Sequence, residues 1–314
     1  SMESHRQFLR HSDRVKAVDI HPIESWLLIG QLNGEANIWN YEKEQLIRSF
    51  KVCDSPVRAA VFVARKGWII TGSDDKLVRV FDYSTGECIH QFEAHLDFVR
   101  SIAVHPTKPC ILTAGDDKLI KQWNWDANWG LEMQYEGHSH YVMQVTIDPK
   151  DNESFASASM DNTVKVWKLG QGTTVSTLEG HEKGVNCVDF YHGSDKSLIV
   201  SGADDHLVKI WDYRTKDHSG NVTSVRFHPT EVTFHPSLPL LFSSAESVEE
   251  GNVRVWNTKN YKLESVLNDG MDRAWCVQTV RDAVAVGYDK GCVVHKIGRK
   301  NDKEIVGSSD KKSE

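Results

Sequence analysis

The sequence predicts an all-β fold: a seven-bladed β-propeller of four-stranded blades, its ring closed by an amino-terminal strand pairing with blade seven. Two features carry this prediction. A closing segment recurs with its aromatic residue at Trp39, Phe81, Trp123, Trp167, Trp211 and Trp256, at steps of 42, 42, 44, 44 and 45 residues. A period of about 40–45 residues ending in Trp-Asp or a near variant marks four-stranded propeller blades. Each repeat also keeps one internal order. A His comes first (His95, His138, His181 and His218, with His11 a weaker match). An alternating run such as Val99-Arg-Ser-Ile-Ala-Val104 follows, then a second run such as Cys110-Ile-Leu-Thr-Ala-Gly115, a turn such as Asp116-Asp117-Lys118, and the strand ending at the aromatic. Period-two alternation bounded by Pro, Gly and Asp turns is the pattern of strands.

Taken in order, blades one to six end clearly. The second Asp of the turns (Asp75, Asp117, Asp161, Asp205) is expected to be structural, accepting turn amides and a bond from the repeat's His. Blade seven is degenerate, with His295 where the aromatic belongs and no evident outer strand after it. His5–Leu9 has no blade of its own and is expected to supply that strand, removing the exposed edges of an open array. Blades five and six break the spacing. The step from Trp211 to His218 is only seven, so blade five lacks room for its outer strand, and blade six is too long. Blade six also holds a near-duplication, Val225-Arg-Phe-His-Pro-Thr230 and Val232-Thr-Phe-His-Pro-Ser237. The propeller is expected over 1–298, and 299–314 as a polar tail without fixed structure.

Composition excludes several classes. A net charge of −7, from 37 basic and 44 acidic residues among 314, gives no bulk attraction to nucleic acid or anionic membrane. No apolar run approaches the ~20 residues that span a bilayer, and no leader is expected from the opening residues. The six cysteines form no C-x-x-C pair and are expected as mostly buried free thiols in a reducing compartment. No metal-ligand spacing, nucleophile elbow or phosphate-binding Gly loop is present, so a non-enzymatic protein without cofactor or metal is expected.

Function is therefore sought at the rim. One column of the first strands is expected to face the channel mouth: Lys16, Arg58, Arg100, Met143, Asn186, Thr223 and Trp275. The residues two earlier are Arg14, Pro56, Phe98, Tyr141, Gly184, Asn221 and Arg273. Arg14, Lys16, Arg58 and Arg100 belong to consecutive blades, and Arg273 to blade seven beside blade one. Such a cluster suits a compact anion, a carboxylate or a phosphate. The alternative is that each cation pairs with a neighbouring acid, Arg100 with Asp97 for example. Asp97, Asp74, Asp116 and Asp204 stand nearby. Because Met160 replaces the turn acid in blade four, the turn can form without it. That leaves Asp116 and Asp204 free to meet solvent or a ligand. A basic pocket with an acidic flank selects a carboxylate followed by cations a few residues away.

Several segments carry a specific resemblance: Ser12-Asp-Arg-Val-Lys16, Pro56-Val-Arg58-Ala, Trp68-Ile-Ile-Thr-Gly-Ser-Asp-Asp75, Arg100-Ser-Ile-Ala-Val-His-Pro-Thr-Lys-Pro109, Trp123-Asn-Trp125 and Thr163-Val-Lys-Val-Trp167. Together, from about Arg6 to Gly298, they resemble the amino-terminal WD-repeat propellers of the coatomer beta-prime family, with the similar alpha-subunit propellers second. The resemblance implies a cytoplasmic, non-enzymatic part of the COPI vesicle coat, peripheral on Golgi and vesicle membranes. Its partners would be other coatomer subunits and the carboxyl-terminal dilysine tails of membrane cargo returned from Golgi to endoplasmic reticulum. It implies that Arg14, Lys16 and Arg58 grip the tail carboxylate. Asp97 and Asp116 would receive one lysine and Asp204 another further upstream. Tyr141 would supply an apolar wall, with Arg100 and Arg273 completing the rim. The competing function is a phosphopeptide-reading substrate adaptor, which the acidic residues disfavour. Lys311-Lys312-Ser313-Glu314 itself has the dilysine form, either as a solvated end or as an occupant of a neighbouring molecule's pocket.

Overall fold

The computed structural model describes residues 2–193, 197–214, 217–224, 228–247 and 252–299, with 217–224 and 299 described by backbone alone. The side chains of His218, Asn221 and Thr223, the segment Val225–Phe227 and the whole of 300–314, with Lys311 and Lys312, lie outside the described residues.

The described chain forms seven four-stranded antiparallel sheets. Blade one is β2 (Val15–Ile20), β3 (Trp26–Gln31), β4 (Glu35–Asn40) and β5 (Gln45–Lys51). Blade two is β6 (Val57–Val63), β7 (Trp68–Ser73), β8 (Leu77–Asp82) and β9 (Cys88–Glu93). Blade three is β10 (Val99–Val104), β11 (Cys110–Gly115), β12 (Ile120–Asn124) and β13 (Gly130–Tyr135). Blade four is β14 (Val142–Ile147), β15 (Ser154–Ser159), β16 (Val164–Lys168) and β17 (Thr174–Leu178). Blade five is β18 (Val185–Phe190), β19 (Leu198–Ala203), β20 (Leu207–Asp212) and β21 (Asp217–Ser224). Blade six is β22 (Pro229–Phe234), β23 (Leu240–Ala245), β24 (Val253–Asn257) and β25 (Leu263–Leu267). Blade seven takes β26 (Ala274–Val280), β27 (Ala283–Tyr288) and β28 (Gly291–Arg299) from the carboxyl-terminal side and β1 (Met2–His11) from the amino terminus. The closure pairs His5 with Lys296 and Phe8 with Val294. The expected pairing of the first strand with blade seven is thus found, and it covers the edge that β28 would otherwise expose.

The spacing anomaly has a definite solution that differs from the expectation. Residues 217–224 are the outer strand of blade five, with Ser224 opposite Leu207 and Asp217 opposite Asp212. Without them β20 would be an open edge. Blade six therefore begins at Pro229, and the second copy of the duplication is its first strand and turn. His218 is not the first His of blade six, and the rim column passes through Thr230 and His228 rather than Thr223 and Asn221.

The core lies in layers between adjacent blades. One joins Leu112, Ile120, Tyr135, Val142, Phe155 and Trp167 of blades three and four. Another joins Phe8, Val15, Leu27, Trp39, Ala285 and Val294 across the closure. Within blades three to five a buried polar chain runs through the sheet. In blade four, Trp167 Nε1 donates to Ser157 Oγ at 2.9 Å, His138 Nε2 lies 2.6 Å from that hydroxyl, and His138 Nδ1 lies 2.7 Å from Asp161. Asp161 also accepts the amides of Ser139 and Thr163. Burial alone would raise its pKa, but the bonds from His138, Thr163 and Ser139 outweigh it and hold the carboxyl well below the usual range. The structural role expected of the second turn Asp is found in Asp117, Asp161 and Asp205. Blade two lacks the His, and there Asp75 binds Ser73 and Arg79 instead.

Inner strands are stitched side chain to amide around the ring. Asp19 accepts from Phe62, Ser101 from Val145, Gln144 from Val188, Asp189 from Phe234 and Glu231 from Val277, at 2.8–3.2 Å. Burial pushes Asp19 and Asp189 up to about 7 and Glu231 up to about 8. Four of the six cysteines are buried, Cys53 is half-buried and Cys88 exposed.

Replacing Asp161 by Ala strands the His138 Nδ1–H and two amides. The expected cost is roughly 2–4 kcal/mol of stability at pH 7 in urea titrations. Because the folded-state pKa is depressed, this carboxylate's contribution is present above pH ~4 and fades as pH falls further, so the gap between wild type and variant narrows in acid.

Candidate functional site

The rim is held in register by one backbone bond made in every blade. The amide of the residue opening the β–β turn donates to the carbonyl of the residue just ahead of the first strand. The pairs are Leu32 to Arg14, Asp74 to Pro56, Asp116 to Phe98, Met160 to Tyr141, Asp204 to Gly184, Glu246 to His228 and Asp289 to Arg273, at 2.8–3.3 Å. The turn then needs a left-handed residue two positions on, Lys76, Lys118, Asn162 and His206 in blades two to five. In blade one it is Gly34, where a Cβ would lie 2.0 Å from the carbonyl oxygen of Cys53.

This bond brings each blade's second strand residue beneath its turn residue. All seven of those strand residues, Lys16, Arg58, Arg100, Met143, Asn186, Thr230 and Trp275, line one cavity of about 470 Å³ at the channel mouth. In blades two and three the result is a two-pronged ion pair sixteen residues apart. Arg58 binds both oxygens of Asp74, with Nη2 at 3.0 Å, and Arg100 binds both oxygens of Asp116 at 2.6 and 2.9 Å. In blade seven Asp289 gathers three groups. It accepts from Arg14 Nε of blade one at 2.7 Å, Arg273 Nε at 2.9 Å and Trp275 Nε1 at 2.9 Å.

Lys16 is the exception. Its turn residue is Leu32, so it has no acid where Arg58 and Arg100 have one, and among the described residues it forms no ion pair. Its ammonium sits 3.8 Å from the centre of the Trp275 ring. Burial, then the fields of Arg58, Arg14 and Arg100, lower its pKa from 10.5 to about 8. Desolvated and surrounded by like charge, it is the group an anion would relieve most.

The other expected residues are placed as follows. Arg14, Lys16, Arg58, Arg100 and Arg273 do share one arc. The Arg100 partner is Asp116, not Asp97. Asp116 is 6% exposed and occupied by Arg100, so the expectation that it stands free fails: the turn amide bond fixes it directly over that guanidinium. Asp97 is half-buried and, among the described residues, accepts only the following amide, of Phe98, at 2.8 Å. Asp204 is open to solvent, as expected, with its side chain 37% exposed. It accepts from Asn186 Nδ2 at 2.8 Å, and His228 Nδ1 lies 3.5 Å away. Tyr141 is 37% exposed, its ring 5.9 Å from the Arg100 guanidinium. Sequence reasoning passed over Leu32, Asp289 and Glu246, and placed Trp275 in the rim column without a role. The sixteen-residue offset of Arg58 to Asp74 and Arg100 to Asp116, applied to Lys16, would have found Leu32; Glu246 follows the same offset only from Thr230, which the structure puts in the column in place of Thr223. Asp289 gripping Arg14 across the closure has no such signal.

Five cations in the arc face the carboxylates Asp74, Asp116 and Asp289, an excess of two positive charges. Across the mouth, Asp204 and Glu246 line the same cavity. The arrangement can bind one compact monoanion at Lys16 and attract cations beside it. Among the described residues no cluster of His, Cys, Asp and Glu is arranged to hold a metal ion, and no helix is long and apolar enough to cross a membrane.

The WD domain, G-beta repeat signature matches residues 44–82, 86–124, 129–168, 172–212 and 213–257. The chain is 54% identical over 296 residues to "Coatomer subunit beta'" of Rattus norvegicus, covering 94% of this chain and 32% of that protein. It is 56% identical over 308 residues to "Probable coatomer subunit beta'" of Caenorhabditis elegans (98% and 30%). It is 52% identical over 308 residues to "Coatomer subunit beta'" of Drosophila melanogaster (96% and 33%). The chain spans about a third of the length of these relatives. A propeller with this repeat, and with this similarity along nearly its whole length, belongs to the WD-repeat family and within it is similar to the coatomer beta-prime subunits.

Proposed function

We propose that this propeller is the part of a COPI coat subunit that reads carboxyl-terminal dilysine tails of membrane cargo, without enzymatic activity, on the cytoplasmic face of Golgi and vesicle membranes, together with other coatomer subunits. The observation that carries the proposal is Lys16: a desolvated rim cation whose own turn supplies Leu32 where the turns of Arg58 and Arg100 supply an acid. The tail carboxylate sits on Lys16 between Arg14 and Arg58. A lysine a few residues upstream meets the open oxygen of Asp97 and shares Asp116 with Arg100, and a further one reaches Asp204. Arg100 and Arg273 complete the rim. The phosphopeptide-adaptor reading is disfavoured, because Asp97, Asp204 and Glu246 beside the arc repel the acidic surroundings such peptides carry.

The direct test is calorimetric titration with a peptide ending Lys-Lys-Ser-Ser, its carboxyl-amidated form and a form with both lysines replaced by serine. Charge-assisted bonds contribute about 1.5–3 kcal/mol each, so amidation and lysine removal are each expected to weaken binding at least tenfold. Equal binding of all three refutes the proposal.

Leu32→Asp gives Lys16 the partner that Arg58 and Arg100 already have, in a turn that accepts Asp in other blades. Affinity for the carboxylate-ended peptide is expected to fall about tenfold, with melting temperature nearly unchanged by calorimetry.

Binding is also expected to depend on pH. The free protein's Lys16 loses its proton near pH 8, and a bound carboxylate holds that proton on. Binding therefore takes up a proton above pH 8, and Kd rises by at most about tenfold per pH unit from there to pH 9. Between pH 6.5 and 7 it is flat, and in Lys16→Arg, which stays charged, it is flat throughout.

A further inference from the structure

We propose that blade four carries an apolar subsite, formed by Met143, Met160 and the Tyr141 ring. It takes a large apolar side chain of the bound tail, at one of the two residues between the lysine and the terminal carboxylate. This rests on the tail-reading function above and deepens it from charge recognition to side-chain selectivity.

Blade four breaks the polar pattern of the rim at both positions. Elsewhere the strand column or the turn column holds a charged or polar group: Lys16 in blade one, Arg58 with Asp74, Arg100 with Asp116, Asn186 with Asp204, Thr230 with Glu246, and Asp289 over Trp275. In blade four both are methionine, at Met143 and Met160. Neither is fully buried, and both line the same cavity as Lys16, Arg58 and Arg100. The next blade makes room for the second. A Cβ on Gly184 would lie 2.4 Å from Met160 Sδ and 2.9 Å from its Cε, so only glycine seats that thioether where it is. Tyr141 is joined to the patch through its carbonyl, which accepts the Met160 amide at 2.9 Å; its ring meets His140 edge-on at 4.5 Å, with the Arg100 guanidinium 5.9 Å away. The apolar sector is therefore continuous with the basic arc and lies between it and the acidic residues of blades five and six.

Chemistry assigns the occupant. Methionine side chains adapt to differently shaped apolar partners, and apolar surface facing a water-filled mouth gains by being covered. A tail with its carboxylate on Lys16 and its lysine at Asp97 crosses the mouth in extended form, and successive side chains of an extended chain point to opposite sides. One of the two intervening residues therefore faces into the cavity.

The test compares peptides ending Lys-Lys-x-x with Leu or Ser at each x, and with an amidated control, against wild type and Met160→Asp. That variant installs the turn residue that blades two, three and five use, so the turn keeps a residue it accepts. Leu at one position is expected to bind wild type about fivefold to tenfold more tightly than Ser, and this ratio is expected to fall near one in Met160→Asp. Met143→Gln, which leaves the turn untouched, is expected to reduce the ratio as well. Equal binding of Leu and Ser at both positions, or a ratio that survives Met160→Asp and Met143→Gln, overturns the subsite. If the amidated control binds as well as the free carboxylate, it is the tail-reading function that fails, whatever the Leu/Ser ratio.

Discussion

The bond from each turn amide to the carbonyl ahead of the first strand is the constraint on which the rim depends. Made seven times at 2.8–3.3 Å, it sets one strand side chain beneath one turn side chain in every blade, whatever those residues are. The scaffold is thereby separated from the chemistry. Arg beneath Asp gives a rigid neutral pair, Met beneath Met an apolar sector, Asn beneath Asp a polar one. Lys beneath Leu gives an unpaired cation. The site is written in pairs of residues sixteen or so apart, and the backbone reads out each pair at a fixed place on the ring.

Below the rim, the buried Trp–Ser/Thr–His–Asp chains stiffen blades three to five, each polar atom meeting a partner. Blade seven solves the same problem with other residues. His295, Tyr288 and Arg6 converge on Asp269, whose side chain is wholly buried. The Arg6 contact comes from the amino-terminal strand, so closure of the ring completes that network as well as the sheet. The candidate anion site straddles the same seam, since Asp289 of blade seven orients Arg14 of blade one and Trp275 carries Lys16. Integrity of closure and integrity of the site are one condition.

Electrostatics at the mouth are local and nearly balanced. Most of the arginines are already answered by carboxylates, which fixes their direction and leaves a modest positive excess. This favours recognition of one small anion in a defined orientation over adsorption of polyanions, in keeping with a chain whose overall charge is negative.

The sequence by itself determined the class and closure of the fold and the membership of the basic arc. Period, alternation and turn chemistry are local properties, so Trp39 to Trp256, the Asp turns and the orphan His5–Leu9 segment were legible, as was the clustering of Arg14, Lys16, Arg58 and Arg100 on consecutive blades. Tertiary structure decided what depends on pairing across distance. It made residues 217–224 the edge strand of blade five, because an unpaired β20 has to be covered, and so moved the blade-six column to His228 and Thr230. It gave Arg100 to Asp116 rather than to Asp97, because the register of two strands and a turn outranks nearness in the chain. It also left Lys16 alone, since whether a charge is paired depends on what stands over it in space.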